Sequence, residues 1–123
     1  MRWLACALLV LISACGDSES DELGVGAQCA ADDECNHDIE PPLHCLSGFK
    51  GGYCGLSGCT GDLDCPEDSI CVHHTDGTNY CFRACVDKAE CNANRDAENE
   101  SNCSSNIERV SGGNIKACVP PSG

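Results

Sequence analysis

Apolar residues are continuous only near the start of the chain. The run from Leu4 to Ala14 is almost wholly apolar, whereas later apolar residues occur in short groups separated by glycine and acidic residues. This first run is shorter than the roughly 20 residues that a membrane-spanning helix needs. A positive charge at Arg2, a short apolar stretch and small residues at its end are typical of a secretory signal peptide, which we predict over residues 1–14.

The end of this run has a more specific pattern. Ile12-Ser13-Ala14-Cys15 resembles the lipobox of bacterial lipoproteins, which is an aliphatic residue, two small residues and a cysteine. The resemblance implies cleavage after Ala14, a diacylglyceryl thioether on Cys15 and acylation of the new amino group. Gly16 stands where an Asp retains many lipoproteins in the inner membrane, so the resemblance implies the outer membrane or the cell surface.

The cysteine count agrees with an anchor at Cys15. The chain has 14 cysteines, and Cys6 leaves with the signal peptide. An odd number of cysteines would then remain, which in an exported protein needs an explanation. A lipid on Cys15 leaves an even set that can form disulfides in an oxidising compartment. The alternative is a soluble secreted protein in which the lipobox is a coincidence.

A short polar segment separates Cys15 from the next cysteine. Residues 16–28 contain four acidic residues, three glycines and no aromatic residue. Such a composition does not bury enough apolar surface to fold. We therefore predict that residues 15–28 comprise the lipidated cysteine and a flexible acidic tether, which spans roughly 20 Å as a coil. The disulfide-rich domain then occupies residues 29–123.

The remaining cysteines repeat with a period of about 30 residues, which predicts an array of small units. We define unit one as residues 29–54, unit two as 59–81 and unit three as 85–118. Five residues separate the first two cysteines of each unit, and each of these loops is acidic. The predicted disulfide cysteines, four from each unit in turn, are Cys29, Cys35, Cys45, Cys54, Cys59, Cys65, Cys71, Cys81, Cys85, Cys91, Cys103 and Cys118.

Turn signals follow the acidic loop in every unit. Asp76-Gly77 predicts a two-residue hairpin turn in unit two, and Gly51-Gly52 predicts a looser turn in unit one. In unit three, Gly112-Gly113 predicts a hairpin between residues 107–111 and 114–119. The sequence therefore predicts a small disulfide-rich fold of three four-cysteine units, each an irregular loop plus a β-hairpin, with little or no helix.

The predicted hairpin of unit two limits its disulfide pairing. A two-residue turn places Cys81 opposite Val72 and Cys71 opposite Phe82, so that Cys71 and Cys81 face opposite sides and do not bond to each other. Two pairings within each unit remain, first–third with second–fourth or first–fourth with second–third. We favour the former because it interlocks the loop with the hairpin. Bridges between units, involving for example Cys54 and Cys59, are a further possibility.

These motifs resemble two families. Units one and two share Cys-x-x-Asp-x-Asp/Glu-Cys, and Gly52-Tyr53-Cys54 ends the first hairpin; with the lipobox, these features resemble the cysteine-rich repeat lipoproteins of bacteria. The cysteine spacing from Cys59 to Cys85 is also similar to the N-terminal cysteine-rich domain of Dickkopf proteins. The first resemblance implies an exported, anchored protein and brings no known activity. Unit three departs from the shared spacing in its longer later loops.

Charge and motifs exclude several functions. The 20 acidic residues against 7 basic ones give a net charge of −13, which excludes a nucleic-acid binder that works through phosphate contacts. The chain has no Cys-x-x-Cys, so neither a zinc site nor a thioredoxin-like motif is predicted. It also lacks the nucleophile-elbow, zinc-protease and phosphate-loop motifs, so we predict no enzyme and no cofactor.

No metal site is predicted, although calcium is the strongest ligand candidate. In unit three, oxygen-bearing side chains occupy alternate positions, as in many calcium loops. The EF-hand pattern fails because Ala97 and Cys103 stand where it requires Gly and Glu. These weak calcium candidates are Asn92, Asn94, Asp96, Glu98 and Glu100.

Histidines and the acidic inter-cysteine loops are weaker metal candidates. His73 and His74 are adjacent on a predicted strand and therefore point to opposite faces. His37 and His44 lie in an acidic loop, for which a solvated surface is the simpler interpretation. Aspartates in the inter-cysteine loops usually cap turns.

The sequence as a whole predicts a membrane-anchored, non-catalytic binding or structural module of the cell envelope. Its partner is an unknown envelope or extracellular protein, and the strongly acidic mature chain favours a basic partner or a divalent cation. One alternative is a small protease inhibitor that presents Lys50 or Arg83 to a basic-specific pocket. Another is an accessory lipoprotein of a larger envelope complex.

Overall fold

A computed structural model describes residues 24–123. The predicted signal peptide, Cys15 and the tether up to residue 23 lie outside the described residues. Short antiparallel strands form most of the regular structure, which confirms the small disulfide-rich fold with little helix. The strands are β1 (His44–Cys45), β2 (Cys54–Ser57), β3 (Ser69–His73), β4 (Asn79–Cys85), β5 (Asn102–Ser104), β6 (Glu108–Arg109) and β7 (Lys116–Val119).

Within residues 24–123, helical structure is limited to single turns. A four-residue helix, α1 (Lys88–Cys91), lies in unit three. Three 3-10 turns are η1 (Asp32–Glu34), η2 (Asp62–Asp64) and η3 (Ala97–Asn99). In the described part of the chain, no helix has the length and apolar character that crossing a membrane requires.

Strand β4 is the centre of the sheet. Its first part pairs with β2 and β3, and its end pairs with β7, so the strand order β1-β2-β4-β3-β6 carries a branch through β7 to β5. Side chains from these strands and from the segment between β1 and β2 form an aromatic core. Phe49, Tyr53 and Phe82 are buried there, with ring centroids 5.2–6.0 Å apart in edge-on contacts.

The same disulfide pattern occurs in all three units. The third and fourth cysteines lie directly opposite each other on neighbouring strands, and each bonds back to a cysteine of the acidic loop. This is the first–third and second–fourth pairing that the sequence favoured. The six bridges are Cys29–Cys45, Cys35–Cys54, Cys59–Cys71, Cys65–Cys81, Cys85–Cys103 and Cys91–Cys118.

The hairpin register predicted for unit two is wrong by one residue. His74 N donates to Thr78 O, so the loop has three residues rather than two, and its last residue, Gly77, has a φ of +90°. A three-residue loop with a glycine at positive φ is the common alternative to a two-residue turn. Cys71 therefore pairs with Cys81 on one face. The two cysteines still do not bond to each other, because each is joined to the loop.

The hairpin predicted for unit three is also wrong. Residues 116–119 pair with β5 instead of with residues 107–111. The latter segment crosses to unit two, where Val72 pairs with Arg109 and His73 pairs with Glu108. The segment between Cys103 and Cys118 thus connects unit three with unit two and is not part of a local hairpin.

The folded body begins before the first predicted cysteine. Residues 24–28, assigned to the tether from their composition, pack against unit one. Gly26 N donates to Cys54 O and Cys54 N donates to Ala27 O, both at 2.9 Å. Val25 and Ala27 are buried at 7% and 4% exposure. Their small apolar side chains belong to the core, so the predicted tether does not include residues 24–28.

Candidate functional site

The acidic residue before the second cysteine of each unit closes its own loop. Glu34 accepts hydrogen bonds from the backbone N–H groups of Ala30 and Ala31. Asp64 accepts from both the N–H and the hydroxyl of Thr60 at 2.8 Å. Glu90 likewise accepts from two backbone N–H groups at the start of α1. The recurring acidic residue therefore stabilises the loop between the first two cysteines of each unit by accepting hydrogen bonds from its backbone.

A second acidic position ties the loop to the hairpin in units one and two. Asp32 accepts a hydrogen bond from Cys45 N at 2.8 Å, and Asp62 accepts from Cys71 N at 2.9 Å. The bond to Cys45 N is the main reason why the pKa of Asp32 is lowered. Hydrogen bonds from backbone N–H groups also lower the pKa values of Asp64 and Glu90. Such bonds favour the charged carboxylates.

The calcium candidates of unit three have other partners. The Asn92 side chain accepts from Ser101 N at 2.6 Å and donates to Ser101 O at 2.9 Å. Asp96 accepts from the side-chain amide of Gln28 at 3.0 Å. The backbone carbonyl oxygen of Asn94 accepts from Gln28 N. The contacts with Gln28 hold the loop against the N-terminal segment, and the contacts of Asn92 hold it to Ser101.

Glu100 and Glu98 complete that set. Glu100 forms an ion pair with Lys88 at 2.8 Å, and Glu98 is exposed. In residues 24–123, groups of three or more Cys, His, Asp or Glu ligand atoms that lie within 4.8 Å of one another consist of cysteine sulfurs alone. Those sulfurs belong to the stacked disulfides of each unit and are not thiolates.

The two residues considered for protease inhibition are poorly presented. An inhibitor loop must offer the carbonyl group of its key residue to the protease, where donors would stabilise the oxyanion. The Lys50 carbonyl oxygen already accepts from the Arg95 guanidinium at 2.9 Å. Arg83 is half-buried in the middle of β4, and its N–H donates to the Tyr53 hydroxyl at 3.0 Å. Neither residue lies on a free, extended loop.

Arg95 holds several segments of the fold together, and the sequence analysis did not single it out. Its side chain is buried at 8% exposure and donates to carbonyl oxygens from three separate segments, and it also stacks 5.7 Å from the Tyr53 ring centroid. Burial lowers its pKa. A single basic residue in an acidic stretch gives no hint that its partners are backbone carbonyls. The acceptors are Gly26 O at 3.3 Å, Lys50 O at 2.9 Å, Gly52 O at 2.7 Å and Asn99 O at 2.7 Å.

The cleft between units two and three is the best candidate for a binding site. We define the inter-unit cleft as the space between residues 72–77, at the tip of the β3–β4 hairpin, and residues 104–108, which cross from β5 to β6. Its volume is about 490 Å³, within the range of about 300–1,000 Å³ typical of ligand sites. The cleft exists only because unit three crosses to unit two, so no local motif predicts it.

Apolar and polar residues both line the inter-unit cleft. Val72, Ile107 and Val119 line it together with His74. The His74 ring also packs edge-on against Phe82, with centroids 5.5 Å apart. The aromatic core thus supports one wall of the cleft. Polar lining residues are His73, Thr75, Ser104, Asn106 and Glu108.

The fold and this cleft define the molecule as a small disulfide-rich protein of three units, each cross-linked internally by two disulfides. No known family, curated protein or solved structure matches the chain.

Proposed function

We propose that the chain is an exported lipoprotein, anchored through Cys15, whose disulfide-linked body is a non-catalytic binding module of the cell envelope. One observation carries the proposal. All twelve cysteines from Cys29 to Cys118 are paired with each other in the described body. Six bridges need an oxidising compartment, and after loss of Cys6 the remaining cysteine is the one in the lipobox.

The geometry of the body supports binding rather than catalysis. The carboxylates of the acidic loops accept hydrogen bonds from the backbone, and His73 contacts Asn79 at 2.7 Å. A rigid body with a preformed cleft is suited to recognition because little conformational entropy is lost on binding.

The position of Gly24 sets the distance from the membrane. Residues 16–23 separate the lipidated cysteine from the folded body, and eight residues span at most about 29 Å when fully extended. The body is therefore held close to the bilayer surface, on the exported side of the membrane. The outer membrane or the cell surface is the proposed location.

The test is the intact, non-reduced mass of the mature protein from a bacterial host. We expect a chain that starts at Cys15, carries acyl groups and lacks the twelve hydrogens that six disulfides remove. Cys15→Ala should abolish the acyl mass and release the protein from the membrane fraction. Cys6→Ala is the matched control, and it should leave the mature mass unchanged. A lipid-free wild-type chain with a free thiol would refute the anchor.

A further inference from the structure

Internal contacts occupy much of the positive charge of the body. Residues 24–123 contain sixteen acidic and six basic residues. Arg95 is buried among carbonyls, Lys88 pairs with Glu100, and Arg109 donates to Ile115 O at 2.6 Å. The surface therefore has a strong excess of negative charge, which attracts cationic partners and accelerates their encounter.

The inter-unit cleft has the chemistry that a long basic side chain needs. Such a side chain combines an aliphatic stem with a charged end. Ile107 and Val119 are partly exposed and offer apolar surface for a stem, with the buried Val72 beneath them. Glu108 is the acidic residue among the described residues that line the cleft, and no described lining residue is Lys or Arg.

We propose that the inter-unit cleft binds a lysine or arginine side chain of a cationic polypeptide. The stem packs between Val119 and Ile107, and the charged end lies at the polar rim near Glu108. This inference names the partner of the binding module proposed above and rests on that function. It does not depend on the lipid anchor.

The experiment is an amide NMR titration of the mature, lipidated chain in non-ionic detergent. The probe is the peptide acetyl-Gly-Lys-Gly-amide, and matched peptides carry norleucine or glutamate in place of lysine. We expect saturable shifts at His74, Ile107 and Val119 with the lysine peptide. Because norleucine keeps the apolar stem but lacks the charged end, we expect about threefold or greater preference for lysine over norleucine, which corresponds to about 0.7 kcal/mol. The glutamate peptide should not bind.

Two charge-matched variants separate the cleft from general attraction. Glu108→Gln and Glu98→Gln change the net charge equally, and both side chains are exposed. We expect Glu108→Gln to weaken binding of the lysine peptide about threefold to tenfold, as for loss of a charged contact, and Glu98→Gln to leave it nearly unchanged. Equal weakening by both variants, or shifts spread over the whole acidic surface, would overturn the proposal.

The remaining outcomes also decide the matter. Equal binding of the norleucine and lysine peptides would mean an apolar site and would overturn the basic partner. Absence of saturable shifts in the cleft with all three peptides would overturn it as well. The mass spectrum of the same sample reports the anchor independently, so failure of the cleft and failure of the lipoprotein proposal are distinguishable.

Discussion

Units two and three have the same disulfide pairing but differ in where their loops make contacts. In unit two, Asp62 and Asp64 hold the acidic loop to its own hairpin and to Thr60. In unit three, Lys88 stands at the position of Asp62 and makes no such bond. Asn92 holds the chain instead, through two hydrogen bonds to the backbone of Ser101.

The longer loops of unit three reach the other two units. Arg95 enters unit one and donates to Gly52 O and Lys50 O. Strand β6 pairs with β3 of unit two and closes the inter-unit cleft. The comparison shows that the unit with the least regular sequence contacts both other units, which are also joined to each other through β2, β4 and the aromatic core. Four predictions test this division between a local unit and a joining unit.

Removal of a disulfide should have the largest effect. Cys91→Ala with Cys118→Ala opens a loop of 27 residues in unit three, whereas Cys59→Ala with Cys71→Ala opens one of 12. Loop entropy alone gives about 3.5 and about 2.8 kcal/mol of unfolding free energy. We expect a larger gap in urea denaturation, because opening unit three also releases Arg95. A smaller loss in unit three than in unit two would contradict its joining role.

Arg95→Met should cost about 3 kcal/mol of unfolding free energy, because four carbonyl oxygens, most of them buried, lose a charged donor. Arg109→Met is the matched control, since Arg109 is partly exposed and its guanidinium also donates to carbonyls of unit three. That control should cost about 1 kcal/mol. The two midpoints in urea provide the comparison. Equal losses would show that contact with unit one adds nothing.

Asn92→Ala tests whether the Asn92 side chain takes over, in unit three, the stabilising role that Asp62 has in unit two. Loss of two hydrogen bonds to the Ser101 backbone should cost about 1–2 kcal/mol. Asp62→Ala removes the corresponding bond in unit two and should cost about 1 kcal/mol. Thermal unfolding of both variants measures these losses. If Asn92→Ala does not change the melting temperature, Asn92 does not replace the stabilising contact that Asp62 makes in unit two.

Acid should have the smallest effect of the four changes on the stability of the protein, through the carboxylates of the acidic loops. The pKa values of Asp32, Asp64 and Glu90 are lowered in the folded protein, so their contribution to stability is full above the unfolded pKa of about 4. It is lost as the pH falls through the folded values. The melting temperature should be flat from about pH 7 to 5 and fall below about pH 4. Asp64→Asn should reduce that dependence, and an unchanged acid slope would contradict the assignment.

The parts of the fold that depend on local signals could be predicted from the sequence. Cysteine spacing defined the three units, and the need to interlock loop and hairpin favoured the observed pairing. The register in unit two was missed because Asp76-Gly77 suits both a two-residue turn and the last residues of a three-residue loop.

The parts that depend on contacts between units could not be predicted. The sequence of residues 107–111 is typical of a hairpin strand, but within this segment β6 pairs with the edge of β3 in unit two. Val25 and Ala27 are too few apolar residues to signal burial in a segment rich in glycine and acidic residues. Arg95 and the inter-unit cleft depend on segments that are distant in sequence, and no spacing rule brings those segments together.

Calorimetry of the oxidised protein tests the central claim most directly, since the claim is that the contacts between units, to which unit three adds Arg95 and β6, make the three units unfold as one. The account predicts a single transition whose calorimetric and van't Hoff enthalpies agree, and it predicts that Arg95→Met splits or broadens this transition. Two or more separate transitions in the wild-type chain would contradict the account, because the units would then be independent modules on a string.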